Sequence, residues 1–226
     1  MYKGEFDHLI NNLERRPLKN SIFNYKLGKK AFLSLGQGNI IEWLETLLPN
    51  TRLIIEPKII GSGIGIQYIN GKLKKAINES CVDITEELIT QLIVPKIISI
   101  KERIEIRGVV YDNKKESAKN NTPELLNIKN TSIDKNGLSF AAFQIFHCNI
   151  NQYQVLQELK KLNFEIPETQ LTNFISDLEI YRQCWKEGKL FKNYPTSGTV
   201  LKINSRKLQK YLGENNLSIN WAYAIN

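Results

Sequence analysis

The stretch "SGIGIQYINGKLKKAIN" sets the dipeptide Asn70-Gly71 between two runs that alternate apolar and polar residues. Asn-Gly supplies the two positive-φ residues of a type I′ turn, whose twist matches that of paired strands. The segment is therefore predicted to be a tight antiparallel hairpin. "TRLIIEPKI", "RIEIRGVVYD", "LSFAAFQIF", "SGTVLKIN" and "NWAYAIN" are further apolar or β-branched runs of strand length. Between them stand segments with helical periodicity: "GNIIEWLETLLPN", "DITEELITQLI" after Asp83 and Thr85, "NQYQVLQELKKLNF", "LEIYRQCWKEGKL" and "RKLQKYLG", the last closed by Gly213. Hairpins and helices mix without a βαβ rhythm, which predicts an α+β fold with antiparallel sheets flanked by helices.

The chain of 226 residues is long enough to bury a sizeable core. "FDHLINNLERR" predicts a short helix near residues 4–15, ended by Pro17, and "PLKNSIFNYKLGKK" reads as a polar linker. Residues 113–137, "NKKESAKNNTPELLNIKNTSIDKNG", read as a polar loop. Cys81, Cys148 and Cys184 are odd in number and match no zinc spacing; with His8 and His147 isolated, no metal site is expected. No run has the length of a membrane span, and "MYKGEFDHLI" lacks a signal-peptide core, so the reading is cytoplasmic, with no membrane partner. The net charge of +8 favours an anionic partner, a nucleotide or nucleic acid, although the lysines are spread along the chain. Trp43, Trp185 and Trp221 read as core residues rather than base-stacking platforms.

Seven motifs, in order, resemble the adenylation domain of NAD-dependent DNA ligases, within the covalent nucleotidyltransferase superfamily. "EFDHLINNLERRP" resembles the helix of the segment that holds the nicotinamide mononucleotide half of NAD. "AFLSLGQG" resembles the stretch near the adenosine, and "EPKIIG" the motif E-P-K-x-D-G, whose lysine becomes adenylated. "IEIRGVVY", "LSFAAFQI", "SGTVLKINSRKLQKYLG" and "NWAYAIN" resemble the strand motifs that follow. The resemblance implies the nucleotidyltransferase fold. It divides the chain into a remnant of the nicotinamide-mononucleotide segment with its linker (1–28) and an adenylation domain (29–226). It makes Lys58 the nucleophile, Glu56 the acid that contacts the adenine amino group, and Ser34 and Leu35 the segment beside the adenosine. Gly61 becomes the motif glycine, Arg107 and Lys202 basic strand positions with Lys202 reaching the α-phosphate, and Phe6 and Asp7 the remnant on the nicotinamide mononucleotide side. Such a lysine must attack as a neutral amine, while cations neutralise phosphate charge and carboxylates position a metal or the ribose.

Several motif positions depart from the family pattern. Ile60, Val109 and Ser197 stand where carboxylates are expected, Asn226 where a lysine closes the last strand, and Asn78 nearest to an expected arginine. Phe6 replaces a tyrosine, and Lys3 stands near a usual aspartate. Loss of one positioning group costs about 10²–10³ in rate. The resulting expectation is a catalytically impaired, ligase-like domain that binds NAD, AMP or a nucleic-acid phosphate, with no metal ion. DNA or a DNA-processing protein is the expected partner, in replication or repair. The oligonucleotide-binding, zinc and helix-hairpin-helix modules of the family are not recognised in these residues, so no ligation is expected from the chain alone. Two alternatives remain: an active enzyme that adenylates Lys58, and a scaffold that keeps the fold without the ligand. "GSGIG" is not read as a phosphate cradle, because a hairpin rather than a helix follows it.

Overall fold

The computed structural model describes residues 34–36, 40–91, 93–112, 137–146, 148–214 and 218–225. The helix expected near 4–15, the linker, most of the 113–137 loop and the boundary at 28/29 lie outside them. The described chain forms two sheets. The first contains β1 (Ser34–Gly36), β2 (Leu53–Ile59), β7 (Gln170–Thr172), β8 (Thr196–Ile203) and β9 (Ser218–Ile225), in the order β1-β9-β8-β2-β7. The second contains β3 (Ser62–Ile69), β4 (Lys72–Asn78), β5 (Ile104–Asp112) and β6 (Leu138–Ile145), in the order β4-β3-β5-β6. All ladders are antiparallel except β1 with β9, a parallel pair that the hairpin pattern did not announce.

The hairpin forms where Asn70-Gly71 predicts it. Asn70 has φ 52° and Gly71 φ 73°, the left-handed values that the turn requires. The described residues form five helices, α1 (Ile40–Glu45), α2 (Thr85–Gln91), α3 (Gln152–Lys161), α4 (Ser176–Lys186) and α5 (Arg206–Leu212). Asp83 starts α2 as its composition suggests: its Oδ1 accepts from the Thr85 N–H at 3.0 Å and from the Thr85 hydroxyl at 2.6 Å. These bonds, the hydroxyl first, hold its carboxyl below the ordinary range. Gly213 closes α5 with φ 65°. α1 is shorter than its apolar stripe predicts and stops at Glu45.

Two apolar cores result. Ile64, Ile66, Tyr68 and Ile106 of the second sheet pack with Leu88 of α2 and Val155 and Leu159 of α3. Leu53, Ile55, Leu201 and Ile203 of the first sheet pack with Leu44 of α1, Leu178 of α4 and Leu208 of α5. All three tryptophans join this second core, Trp221 buried within it and Trp43 and Trp185 packed against it. Pro57 lies within β2 beyond the end of β7, which pairs only with Leu53–Ile55, so its missing N–H costs that ladder nothing.

Candidate nucleotide site

A cleft of about 310 Å³ opens between the two sheets. β2 supplies Glu56 and Lys58 to its wall. Alternation along the strand puts both on one face, and the β2–β8 ladder slips register between Pro57 and Ile59, at Lys58 itself. Such an irregularity re-aims a side chain, and half-buried Lys58 lines the cleft. β8 contributes Val200 and Lys202, β9 contributes Ile219 and Trp221, and Leu35 of β1 joins them. The opposite wall comes from Gly63 of β3, Arg107 to Val109 of β5, and Phe143 and Gln144 of β6.

Glu56 and Lys202 form the most buried charge pair of the described residues. Lys202 Nζ donates to Glu56 Oε2 at 2.5 Å, with side chains 6% and 3% exposed. The ammonium also lies 4.4 Å from the centre of the Phe143 ring, a cation–π contact. The second carboxylate oxygen, Glu56 Oε1, is buried and has no hydrogen-bond partner among the described residues. A buried acceptor left unsatisfied is costly, and beside a cleft it suits a donor brought by a ligand.

Arg107 sits between Phe143 and Phe146, its guanidinium carbon 5.9 and 5.8 Å from the two ring centres. Burial pulls its pKa down to about 10, against the upward pull of Glu79 and Glu214. It therefore stays cationic at neutral pH. The cleft thus combines three cations, an orphaned carboxylate oxygen and apolar walls, which is the inventory for a phosphate-bearing aromatic base.

Of the residues singled out from the sequence, Leu35, Glu56, Lys58, Arg107 and Lys202 meet in this cleft. Ser34 opens β1 beside Leu35. Gly61 lies in the β2–β3 turn, where it serves packing: a Cβ there would stand 2.3 Å from the Val110 carbonyl oxygen. Phe6 and Asp7 lie outside the described residues, as does Asn226. Among the neutral replacements, Val109 lines the cleft. Ile60 donates its backbone N–H to the Pro195 carbonyl at 2.7 Å, and Ser197 is exposed on β8. Asn78 is spent locally, its Oδ1 accepting from the Val82 N–H at 3.0 Å. Sequence reading missed Glu79, which also lines the cleft. The alternation of the hairpin, continued one residue beyond β4, is the signal that would have placed it opposite Gly63.

Among solved structures, a Naegleria gruberi RNA ligase variant with ATP and Mn has a similar fold. Its TM-score is 0.51 at 11% identity, covering 85% of this chain and 54% of that one. At that identity the likeness concerns the fold alone. This is the α+β nucleotidyltransferase fold. The family model described as "NAD-dependent DNA ligase adenylation domain" matches residues 37–226. The chain belongs to that family.

Among curated relatives, the DNA ligase of Mycoplasma capricolum is 29% identical over 87% of this chain and 35% of its own length. That of Mesoplasma florum is 27% identical over 98% of this chain and 39% of its own. That of Petrotoga mobilis is 29% identical over 82% and 33%. The chain thus spans about a third of the length of the relatives it matches. No helix among the described residues is long and apolar enough to cross a membrane.

Proposed function

We propose that the cleft binds an adenine nucleotide, AMP or the AMP half of NAD, and that self-adenylation of Lys58 is impaired. The observation that carries this reading is the state of Glu56. One oxygen is held by Lys202, and the other is buried without a donor, beside a cleft that Lys58 and Arg107 also line. The orphaned oxygen suits the amino group of adenine, and the cations suit its phosphate.

The same pair supports the impairment. Lys202 already donates to Glu56 and lies over the Phe143 ring, so a phosphate meets a cation whose charge is largely neutralised by a buried carboxylate rather than a free one. Ile60, Val109 and Ser197 bring no carboxylate to order a metal or the reacting lysine. A nicked-DNA phosphate is a further anion for this basic chain, and action beside DNA, in replication or repair, extends the reading.

Intact-mass measurement after incubation with NAD or ATP, alongside an AMP titration at low salt, tests both halves. Saturable AMP binding without a covalent adduct is expected. A mass gain of one AMP that Lys58→Ala abolishes would overturn the impairment. Absence of any AMP binding would overturn the nucleotide assignment and favour a scaffold that keeps the fold alone.

A further inference from the structure

Glu79 stands one residue past β4, outside every motif that carries the family resemblance, yet its side chain lines the cleft. The hairpin register sets it there: Ile64 pairs with Asn78, so Glu79 comes level with Gly63. The Gly63 N–H donates to Glu79 Oε1 at 2.7 Å. That seat exists because Gly63 has no side chain. A Cβ on it would stand 2.6 Å from Glu79 Oε1 and 3.2 Å from Glu79 Cγ. Glu79 and Gly63 act as one unit, a carboxylate laid across bare strand and held there by a backbone amide.

The charged groups around the cleft divide by chemistry. Lys58, Arg107 and Lys202 suit phosphate oxygens. Glu56 is buried against Lys202 and offers one inward oxygen. Glu79 is the other carboxylate of the lining, and it stands at the exposed rim on the opposite wall. An ionised carboxylate only accepts hydrogen bonds, and each oxygen takes more than one. The Gly63 amide therefore leaves Glu79 able to accept from a ligand. Its charge acts on the cationic Arg107 of the same wall and repels phosphate, so on a phosphate-bearing ligand its fitting partners are neutral donors. On an adenine nucleotide those are the base amino group, which suits Glu56 Oε1, and the ribose hydroxyls.

We infer that Glu79 is the residue through which this cleft selects a ribonucleotide, its carboxylate accepting hydrogen bonds from the ribose hydroxyls of the bound adenine nucleotide. The inference rests on the nucleotide reading above and assigns the sugar subsite within it. Glu79 is a specificity residue here, distinct from the groups facing the phosphate.

Calorimetric titration of AMP and 2′,3′-dideoxy-AMP into the wild-type chain, Glu79→Ala, Glu79→Gln and Gly63→Ala tests it. Hydrogen bonds to a charged group are worth about ten- to a hundredfold in affinity, so the wild type should prefer AMP by that factor. Glu79→Ala should bring the ratio of AMP to dideoxy-AMP affinity down to about one, since loss of its negative charge acts on the phosphate of both ligands alike. Glu79→Gln, which keeps an acceptor, should retain part of the preference. Gly63→Ala, which fills the seat of the carboxylate, should behave like Glu79→Ala while keeping the wild-type circular dichroism.

Equal binding of the two ligands by the wild type would overturn the inference and leave the nucleotide reading standing. So would a preference that survives in Glu79→Ala, or an equal tightening of both ligands, which would make Glu79 only a repulsive charge. Failure of both ligands to bind any variant would instead overturn the nucleotide reading, and this inference with it.

Discussion

Glu56 and Lys202 come from neighbouring strands, β2 and β8, and neutralise each other out of water. Removing one partner leaves the other charge buried alone, at about 3–5 kcal/mol. Lys202→Met should therefore lower unfolding free energy by about that amount in urea melts, and Glu56→Gln added to it should recover most of the loss. A double variant no more stable than the single one would show that Lys202 acts through its contact with Phe143 instead. Tyr68 gives a second prediction at this scale. It is wholly buried, donates to the Pro95 carbonyl at 2.5 Å, and burial pushes its hydroxyl above the usual phenol range. A folded pKa above the unfolded value contributes stability that is complete below about pH 10 and falls as pH rises further. Burial acts in the same direction on Tyr111 and Tyr194. The protein should thus lose stability steadily above pH 10, and Tyr68→Phe should flatten that slope while costing about 1 kcal/mol at pH 7 through the lost hydrogen bond. Glu56, Lys58, Arg107 and Lys202 were singled out through the resemblance of their motifs to the family, and the structure brings all four to one cleft. Their pairing was not legible, since which cation meets which acid depends on strand register. Glu79 escaped notice because it belongs to no motif, and only the glycine across the hairpin gives it a place.

The β3–β4 hairpin and the β2–β3 turn each depend on a glycine for a different reason. Gly71 has φ 73°, and a Cβ there would also stand 2.5 Å from the Ile98 carbonyl oxygen. Gly71→Ala should cost about 1–3 kcal/mol from the strained backbone alone, with faster amide exchange along β3 and β4. Gly61 needs no unusual φ. It lets the turn approach β5, where a Cβ would meet the Val110 carbonyl oxygen at 2.3 Å and Val109 Cγ1 at 2.5 Å. Gly61→Ala should cost a similar amount, about 1–3 kcal/mol, by overpacking. A thermal melt unchanged by Gly61→Ala would mean that the turn shifts freely. Most elements could be read from the chain because their apolar period and their caps agree, as at Asp83 before α2 and Gly213 after α5. β7 could not, since "QLT" is too short to show a period, and it exists by pairing with Leu53–Ile55. The parallel pairing of β1 with β9 was hidden for a related reason: a three-residue strand says nothing about its direction, and its partner lies at the far end of the sequence.

Each sheet has its own apolar core, and the cleft lies between them, so a ligand seated there touches both. A nucleotide bound to the folded state alone stabilises it by mass action, by about 2.7 kcal/mol at a hundred times its Kd. In a protein of this size each kcal/mol raises Tm by about 2–4 °C, which predicts a shift of about 5–10 °C at saturating AMP. The cations that meet the phosphate make the shift sensitive to salt, because exposed charges are screened over about 10 Å at 0.1 M and about 3 Å at 1 M. Lys58→Ala should reduce the shift and its salt dependence together, since Lys58, like Arg107, is only partly buried in the cleft wall, whereas buried Lys202 is shielded from added ions. Adenosine, which lacks the phosphate, should give a smaller shift that salt does not change. Scanning calorimetry with AMP and adenosine at low and high salt checks this, and equal shifts for the two ligands would remove the phosphate from the interaction and with it the role of Lys58 in holding the nucleotide.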